Sequence, residues 1–228
     1  MIGGLQKVSL IDYPGKVAAV IFTRGCSFRC HYCHNPELAV PQLFKEPLSE
    51  RLVLDFLASR KRNLDGVVVT GGEPAMQRDL LEFLAQLKGI GYLVKLDTCG
   101  AFPEAIEEAI RRKLVDYIAM DIKAPLDRYR DVVGVNVDPK KIKRSIDAIK
   151  GGGIDHEFRT TIVKSQLSME EVIEIAKYLS PSDRYVLQKF APAKTLDPKF
   201  ANESTYTDQE FEQIKIMISN YVGACSVR

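Results

Sequence analysis

Apolar runs of β character alternate with amphipathic helical patterns along the chain, and this alternation limits the possible folds more than any other feature. The runs are 17–22 (VAAVIF), 66–70 (GVVVT), 92–97 (YLVKLD), 116–121 (DYIAMD), 157–163 (EFRTTIV) and 184–190 (RYVLQKF). Val, Ile, Tyr and Phe dominate them, as strands require. The helices between them have readable ends. Residues 49–62 start at Ser49, with Leu52, Val53, Phe56 and Leu57 expected on one face. Residues 76–88 carry Met76, Leu80, Leu84 and Leu87 at helical spacing and are expected to stop at Gly89. Residues 103–113 open on Pro103 and Glu104 and close on Arg111, Arg112 and Lys113, as the helix dipole favours. Asp138 and Pro139 start a further helix that ends at Gly151–Gly153. Ser168 with Glu171, and Thr207 with Glu210, read as capping boxes of two more.

Strand–helix alternation repeated six times predicts an α/β fold with a parallel sheet covered by helices. A complete (βα)8 barrel needs about 250 residues. Six units in 228 residues predict an incomplete TIM-like (βα)6 barrel with one open side, formed by residues 1–228 as a single domain. A flat doubly wound sheet is the structural alternative. The G-x-G-x-x-G fingerprint of dinucleotide binding does not follow the first strand, which weakens it.

Hydrophobic residues at 46% and charged residues at 27% are enough for a sizeable core. A net charge of +2 gives no nucleic-acid footprint. No secretory signal and no spanning segment is evident, so a cytoplasmic protein is expected. Five cysteines are an odd number, and three are crowded together, which favours ligands over bridges.

The crowded three are Cys26, Cys30 and Cys33, in TRGCSFRCHYCHNPEL directly after the first apolar run. Four readings compete. Cys30-His31-Tyr32-Cys33-His34 is formally a C-x-x-C-H haem site, but that leaves Cys26 unused and belongs outside the cytoplasm. A redox dithiol also ignores Cys26. Structural zinc would need His34 as a fourth ligand from one short loop. An iron–sulfur cube has four iron corners, and three thiolates leave one corner open to a small molecule.

C-x-x-x-C-x-x-C with an aromatic before the last cysteine (Tyr32) resembles the signature of the radical S-adenosylmethionine enzymes. The resemblance implies that Cys26, Cys30 and Cys33 hold a 4Fe–4S cluster whose fourth iron takes the amino and carboxylate groups of S-adenosylmethionine. Other strand ends fit the same frame, since chemistry in such barrels lies at the C-terminal ends of the strands. Thr70-Gly71-Gly72-Glu73-Pro74 matches the family's GGEP motif, which holds the amino group of S-adenosylmethionine. Asp97-Thr98-Cys99-Gly100 and Met120-Asp121-Ile122-Lys123 fall at positions that the family places near the ribose, carboxylate and substrate. Asp97, Asp121 and the ligand carboxylate together need a compensating cation: either Lys123, or a monovalent ion held by Asp97, Thr98 and Asp121 as in some related activating enzymes. Arg159 is a candidate carboxylate partner, Gln188 a further cofactor contact, and Phe190 either a core aromatic or a platform for adenine. Cys99 and Cys225 are expected not to bind the cluster, and His34 to pack.

The stretch GGLQKVSLIDYPGKVAAVIFTRGCSFRCHYCHNPEL resembles the activating proteins of anaerobic ribonucleoside-triphosphate reductases, and secondarily the pyruvate formate-lyase activases. That implies reductive cleavage of S-adenosylmethionine to a 5′-deoxyadenosyl radical, which takes hydrogen from a glycine of a partner enzyme. It also implies a low-potential electron donor such as flavodoxin or ferredoxin. The alternatives are a radical enzyme acting on a small molecule and a non-enzymatic iron–sulfur or zinc protein.

Overall fold

The computed structural model describes residues 2–228. Its centre is one eight-stranded sheet whose strands lie in chain order. They are β1 (Ile2–Ser9), β2 (Ala18–Thr23), β3 (Gly66–Gly71), β4 (Leu93–Thr98), β5 (Tyr117–Asp121), β6 (Asp155–Ile162), β7 (Ser182–Lys189) and β8 (Val222–Val227). β1 runs antiparallel to β2, and every later neighbour pair is parallel. The first and last strands do not pair with each other, so the sheet is open. The helices are α1 (Pro36–Ala39), α2 (Glu50–Arg60), α3 (Leu80–Ile90), α4 (Pro103–Arg111), α5 (Tyr129–Val133), α6 (Pro139–Gly151), α7 (Met169–Leu179) and α8 (Asp208–Ile218). No helix among the described residues is long and apolar enough to cross a membrane.

All six expected strands form, each within about two residues of its expected ends, and the fold is the expected open, mostly parallel α/β sheet. The count differs: β1 and β8 extend it, making seven parallel strands with an antiparallel edge. Both added strands lie at sheet edges and contain glycine and small or polar residues (IGGLQKVS, VGACSV), so neither shows an apolar period of two. Pairing with β2 and β7 makes them strands.

Helix ends follow their caps. Asp138 accepts from Lys140 N at 3.0 Å, and both capping boxes form. α3 starts later than expected, because Pro74–Met76 form a separate 3-10 turn. It then runs through Gly89 and stops at Gly91, whose φ of 97° suits a glycine C-cap. Leu80, Phe83, Leu84 and Leu87 form its buried stripe, worth about 2 kcal/mol each. Leu52 and Met76, expected on buried faces, are exposed.

Alternation along the strands sorts the two faces of the sheet. Val67, Val69, Leu96, Ile118, Met120 and Phe158 belong to the large core shared with the helices. Ala18, Val20, Val68, Tyr117 and Ala119 form a smaller apolar cluster with Tyr13 from the β1–β2 connection. The Tyr13 ring lies 5.9 Å from that of Tyr117. Further along the same face, towards the strand C-termini, the inward positions turn polar: Lys95 and Asp97, then Asp121, then Arg159 and Thr161, then Gln188. The apolar plug at one end and the polar rim at the other place the site.

Candidate active site

A cavity of about 340 Å³ opens among the C-terminal strand ends. Cys26, Cys30, Tyr32, Cys33, Gly71, Gly72, Glu73, Asp97, Thr98, Asp121, Lys123, Arg159 and Gln188 all line it. Of the residues expected there, only Pro74 is absent from the lining; it is buried at the start of the 3-10 turn. Phe28, His34, Asn35, Thr70, Cys99, Thr161 and Lys189 complete the wall.

The cysteine loop connects β2 to α1 and is held by backbone bonds from four directions. Gly25 N donates to Leu38 O (2.7 Å), Arg29 N to Val133 O (2.8 Å) and Glu73 N to Gly25 O (2.8 Å). From the segment after β7, Leu196 N donates to Cys33 O (2.9 Å) and Asp197 N to His31 O (3.0 Å). Arg29 closes the loop from within: its Nη1 donates to Cys26 O and Phe28 O, both at 2.7 Å. Cys30 is buried, and Cys26 and Cys33 are half-buried. Burial pushes the Cys26 thiol up to about 11 and the Cys30 thiol up to about 12, so both are protonated in the metal-free protein. Metal must displace those protons to bind.

His34 stacks on Phe190 with ring centroids 5.4 Å apart, and its Nε2 meets Ala191 O at 3.0 Å. The stacking takes the Phe190 face that was considered for adenine. Among the described residues no three His, Cys, Asp or Glu side chains are grouped to hold a single ion. A cube does not require such a group, because each thiolate binds its own iron. The Tyr32 hydroxyl is buried without a hydrogen-bond partner among the described residues. A buried polar atom left unpaired on a cavity wall is costly, and a bound ligand relieves it.

The Gly71–Gly72–Glu73 turn joins loops to one another. Gly71 has φ 117°, and a Cβ there would lie 2.3 Å from Thr23 N. At Gly72 a Cβ would fall 2.1 Å from Gly25 O. These glycines therefore let the end of β3 lie against the start of the cysteine loop, in addition to lining the cavity. Glu73 is fully buried and already bonded by its own chain. Its Oε1 accepts from Thr98 Oγ1 (2.7 Å) and Ala75 N (2.9 Å), and its Oε2 accepts from Cys99 N (2.6 Å). Burial raises its pKa, and these donors, with the Cys99 thiol, only partly offset that. Glu73 fixes the β3 and β4 ends relative to each other.

A charge network crosses the concave face. Arg159 bridges two carboxylates, with Nε on Asp121 (2.7 Å) and Nη1 on Asp97 (3.1 Å). Lys123 Nζ meets Asp121 at 3.1 Å, and buried Lys95 pairs with Asp97. Burial alone would raise the Asp121 pKa; Arg159 and Lys123 outweigh it and hold the carboxyl below the usual range. Lys123 and Arg159 are correspondingly held protonated against their own burial. Two carboxylates face three cations, a surplus of one positive charge. Arg159 thus bridges the two carboxylates that the resemblance gave to a monovalent ion. Lys95 was missed in the sequence because a lysine in a strand reads as exposed; its two-residue spacing from Asp97, which puts both on one face, is the signal that finds it.

Three thiols beside an unpaired tyrosine hydroxyl and a surplus positive charge suit a metal cluster and a small molecule that carries a carboxylate. The radical SAM superfamily profile matches residues 20–179, and the chain belongs to that superfamily. It is an enzyme of this class, whose cofactors are a 4Fe–4S cluster and S-adenosylmethionine. Within the class it belongs with the glycyl-radical enzyme activating enzymes. A "putative glycyl-radical enzyme activating enzyme" of Methanocaldococcus jannaschii is 33% identical over 100% of this chain and 95% of its own. The pyruvate formate-lyase-activating enzyme of Clostridium pasteurianum is 30% identical over 75% of this chain and 72% of its own. SuiB of Streptococcus suis, solved with S-adenosylmethionine bound, superposes with a TM-score of 0.70 at 14% identity, over 92% of this chain and 49% of that one. This last likeness is one of fold.

Proposed function

We propose that the protein installs a glycyl radical in an anaerobic ribonucleoside-triphosphate reductase, working in the reducing cytoplasm. Cys26, Cys30 and Cys33 would hold the cluster and leave a fourth iron for the amino and carboxylate groups of S-adenosylmethionine. Bound together, the two cofactors supply a carbon-centred radical able to take hydrogen from glycine. The chain's own residues position and enclose. The surplus cation of the Lys95–Asp97–Arg159–Asp121–Lys123 network balances one ligand carboxylate. Tyr32 offers its unpaired hydroxyl to the bound ligands, Glu73 sets the turn carrying Gly71, Gly72 and Pro74, and Thr98 and Gln188 complete the wall.

The observation that carries this reading is the match over nearly full length to an activating enzyme of glycyl radical enzymes. The unclosed sheet supports it, because a polypeptide loop needs an open side to enter. The reductase is preferred because residues 3–38 resemble its activating proteins. A pyruvate formate-lyase-like partner is the second reading, favoured by the Clostridium relative. Anaerobic reconstitution, reduction and mixing with each candidate partner, followed by electron paramagnetic resonance, separates them. A glycyl radical doublet in the reductase is expected. A doublet only in the lyase would move the assignment to it, and turnover of S-adenosylmethionine with a doublet in neither would favour a small-molecule substrate.

A further inference from the structure

A donor that reaches the cluster from outside the cavity would leave the cavity mouth free for ligand and substrate. A second cavity, about 310 Å³, borders the same cysteine loop. Among the described residues Cys26 is the one residue that lines both. The second cavity carries Arg24, Arg29 and Arg78 around Phe44 and Met76, and neither Asp nor Glu is in its wall. Two of the arginines are fixed in place. Arg29 is clamped to the carbonyls of Cys26 and Phe28, and Arg24 sits over the Phe44 ring, 5.1 Å from its centroid, with Nη1 donating to Lys45 O. Arg78 and Met76 are exposed. An apolar centre with a cationic rim has the anatomy of a small, transient interface for an acidic partner.

We propose that a small acidic electron-transfer protein docks on Arg24, Arg29 and Arg78 and passes its electron to the cluster by way of Cys26. This rests on the reading of Cys26 as a cluster ligand. In the step one electron leaves the donor, which is oxidised, and the cluster is reduced by one; no proton or group moves. Fixed cations speed encounter with an acidic partner by steering, an effect that salt removes.

The test follows cluster reduction in anaerobically reconstituted protein by stopped-flow visible absorbance, with reduced flavodoxin as the acidic donor. Arg78→Glu is expected to slow reduction about tenfold at low ionic strength and to flatten its salt dependence. Arg51→Glu, on an exposed face of α2, is expected to match wild type. Reduction by a small photoreduced deazaflavin is expected to be equal in all three. Reduction of Arg78→Glu by flavodoxin at the wild-type rate, or a wild-type rate indifferent to salt, would overturn the docking site alone. So would a change in oligomeric state of Arg78→Glu, which would give this surface to a second copy. Deazaflavin-reduced wild type that fails to cleave S-adenosylmethionine would overturn the activase reading, and this inference with it.

Discussion

Lys95 stands in a run that reads YLVKLD, yet it is 1% exposed, and its amine pairs with Asp97. With Arg159 and Lys123 it makes the network one positive charge richer than its two carboxylates, Asp97 and Asp121. S-adenosylmethionine binding to reconstituted protein, measured by calorimetry, is therefore expected to be unchanged when potassium or sodium is replaced by a large organic cation. Lys95→Met is expected to weaken binding about tenfold, leave iron content unchanged, and recover partly with potassium. A wild type dependent on small cations would show that the chain's own charges do not suffice. Asp121 gives a pH test on metal-free protein. Its folded pKa lies below its unfolded one. Its stabilisation is therefore fully present above the ordinary carboxylate value of about 4 and is lost as pH falls towards the depressed value. In denaturant titrations Asp121→Asn is expected to cost about 3 kcal/mol at neutral pH, and the gap to wild type should close only in strong acid. Cys26→Ala, Cys30→Ala and Cys33→Ala are each expected to abolish cluster assembly. Cys99→Ala should keep full iron, because the backbone N of Cys99 and its thiol serve Glu73.

At the scale of elements, the β3 turn is the joint between the cysteine loop and the rest of the sheet. Gly72→Ala would push a Cβ onto Gly25 O. It is expected to cost about 2 kcal/mol or more and to lower iron loading, read by denaturation and iron analysis. Leu84→Ala, on the buried stripe of α3, is expected to cost 2–5 kcal/mol while leaving iron loading intact. Together the two variants separate a defect of the joint from a general loss of stability. The central strands and long helices were legible because period two, period 3.6 and cap residues agree there. β1 and β8 were not, since their strand character comes from pairing with a neighbour and not from their own pattern. The site was legible as far as it consists of strand ends. Which group bonds to which was not. Glu73 lines the cavity, and its motif did not announce that its oxygens also accept from Thr98, Ala75 and Cys99. Phe190 was weighed as an adenine platform and stacks on His34. Such choices depend on contacts between segments far apart in sequence.

Over the whole molecule, the sheet sorts its chemistry along one axis. Tyr13 and the small apolar cluster close one end of the concave face, and the cysteine loop and charge network occupy the other. Helices pack on the other face, and among the described residues β1 and β8 do not pair, which on the proposed reading is where a partner's loop would enter. All of this depends on three thiolates holding a cube with a free corner that S-adenosylmethionine can occupy. The most direct measurement is the electron paramagnetic resonance spectrum of the reduced, reconstituted protein before and after S-adenosylmethionine, with the ligand carboxylate carrying a magnetic isotope. The expected result is a changed spectrum with hyperfine coupling from the labelled carboxylate to the cluster. An unchanged spectrum without that coupling, from a fully loaded cluster, would contradict it.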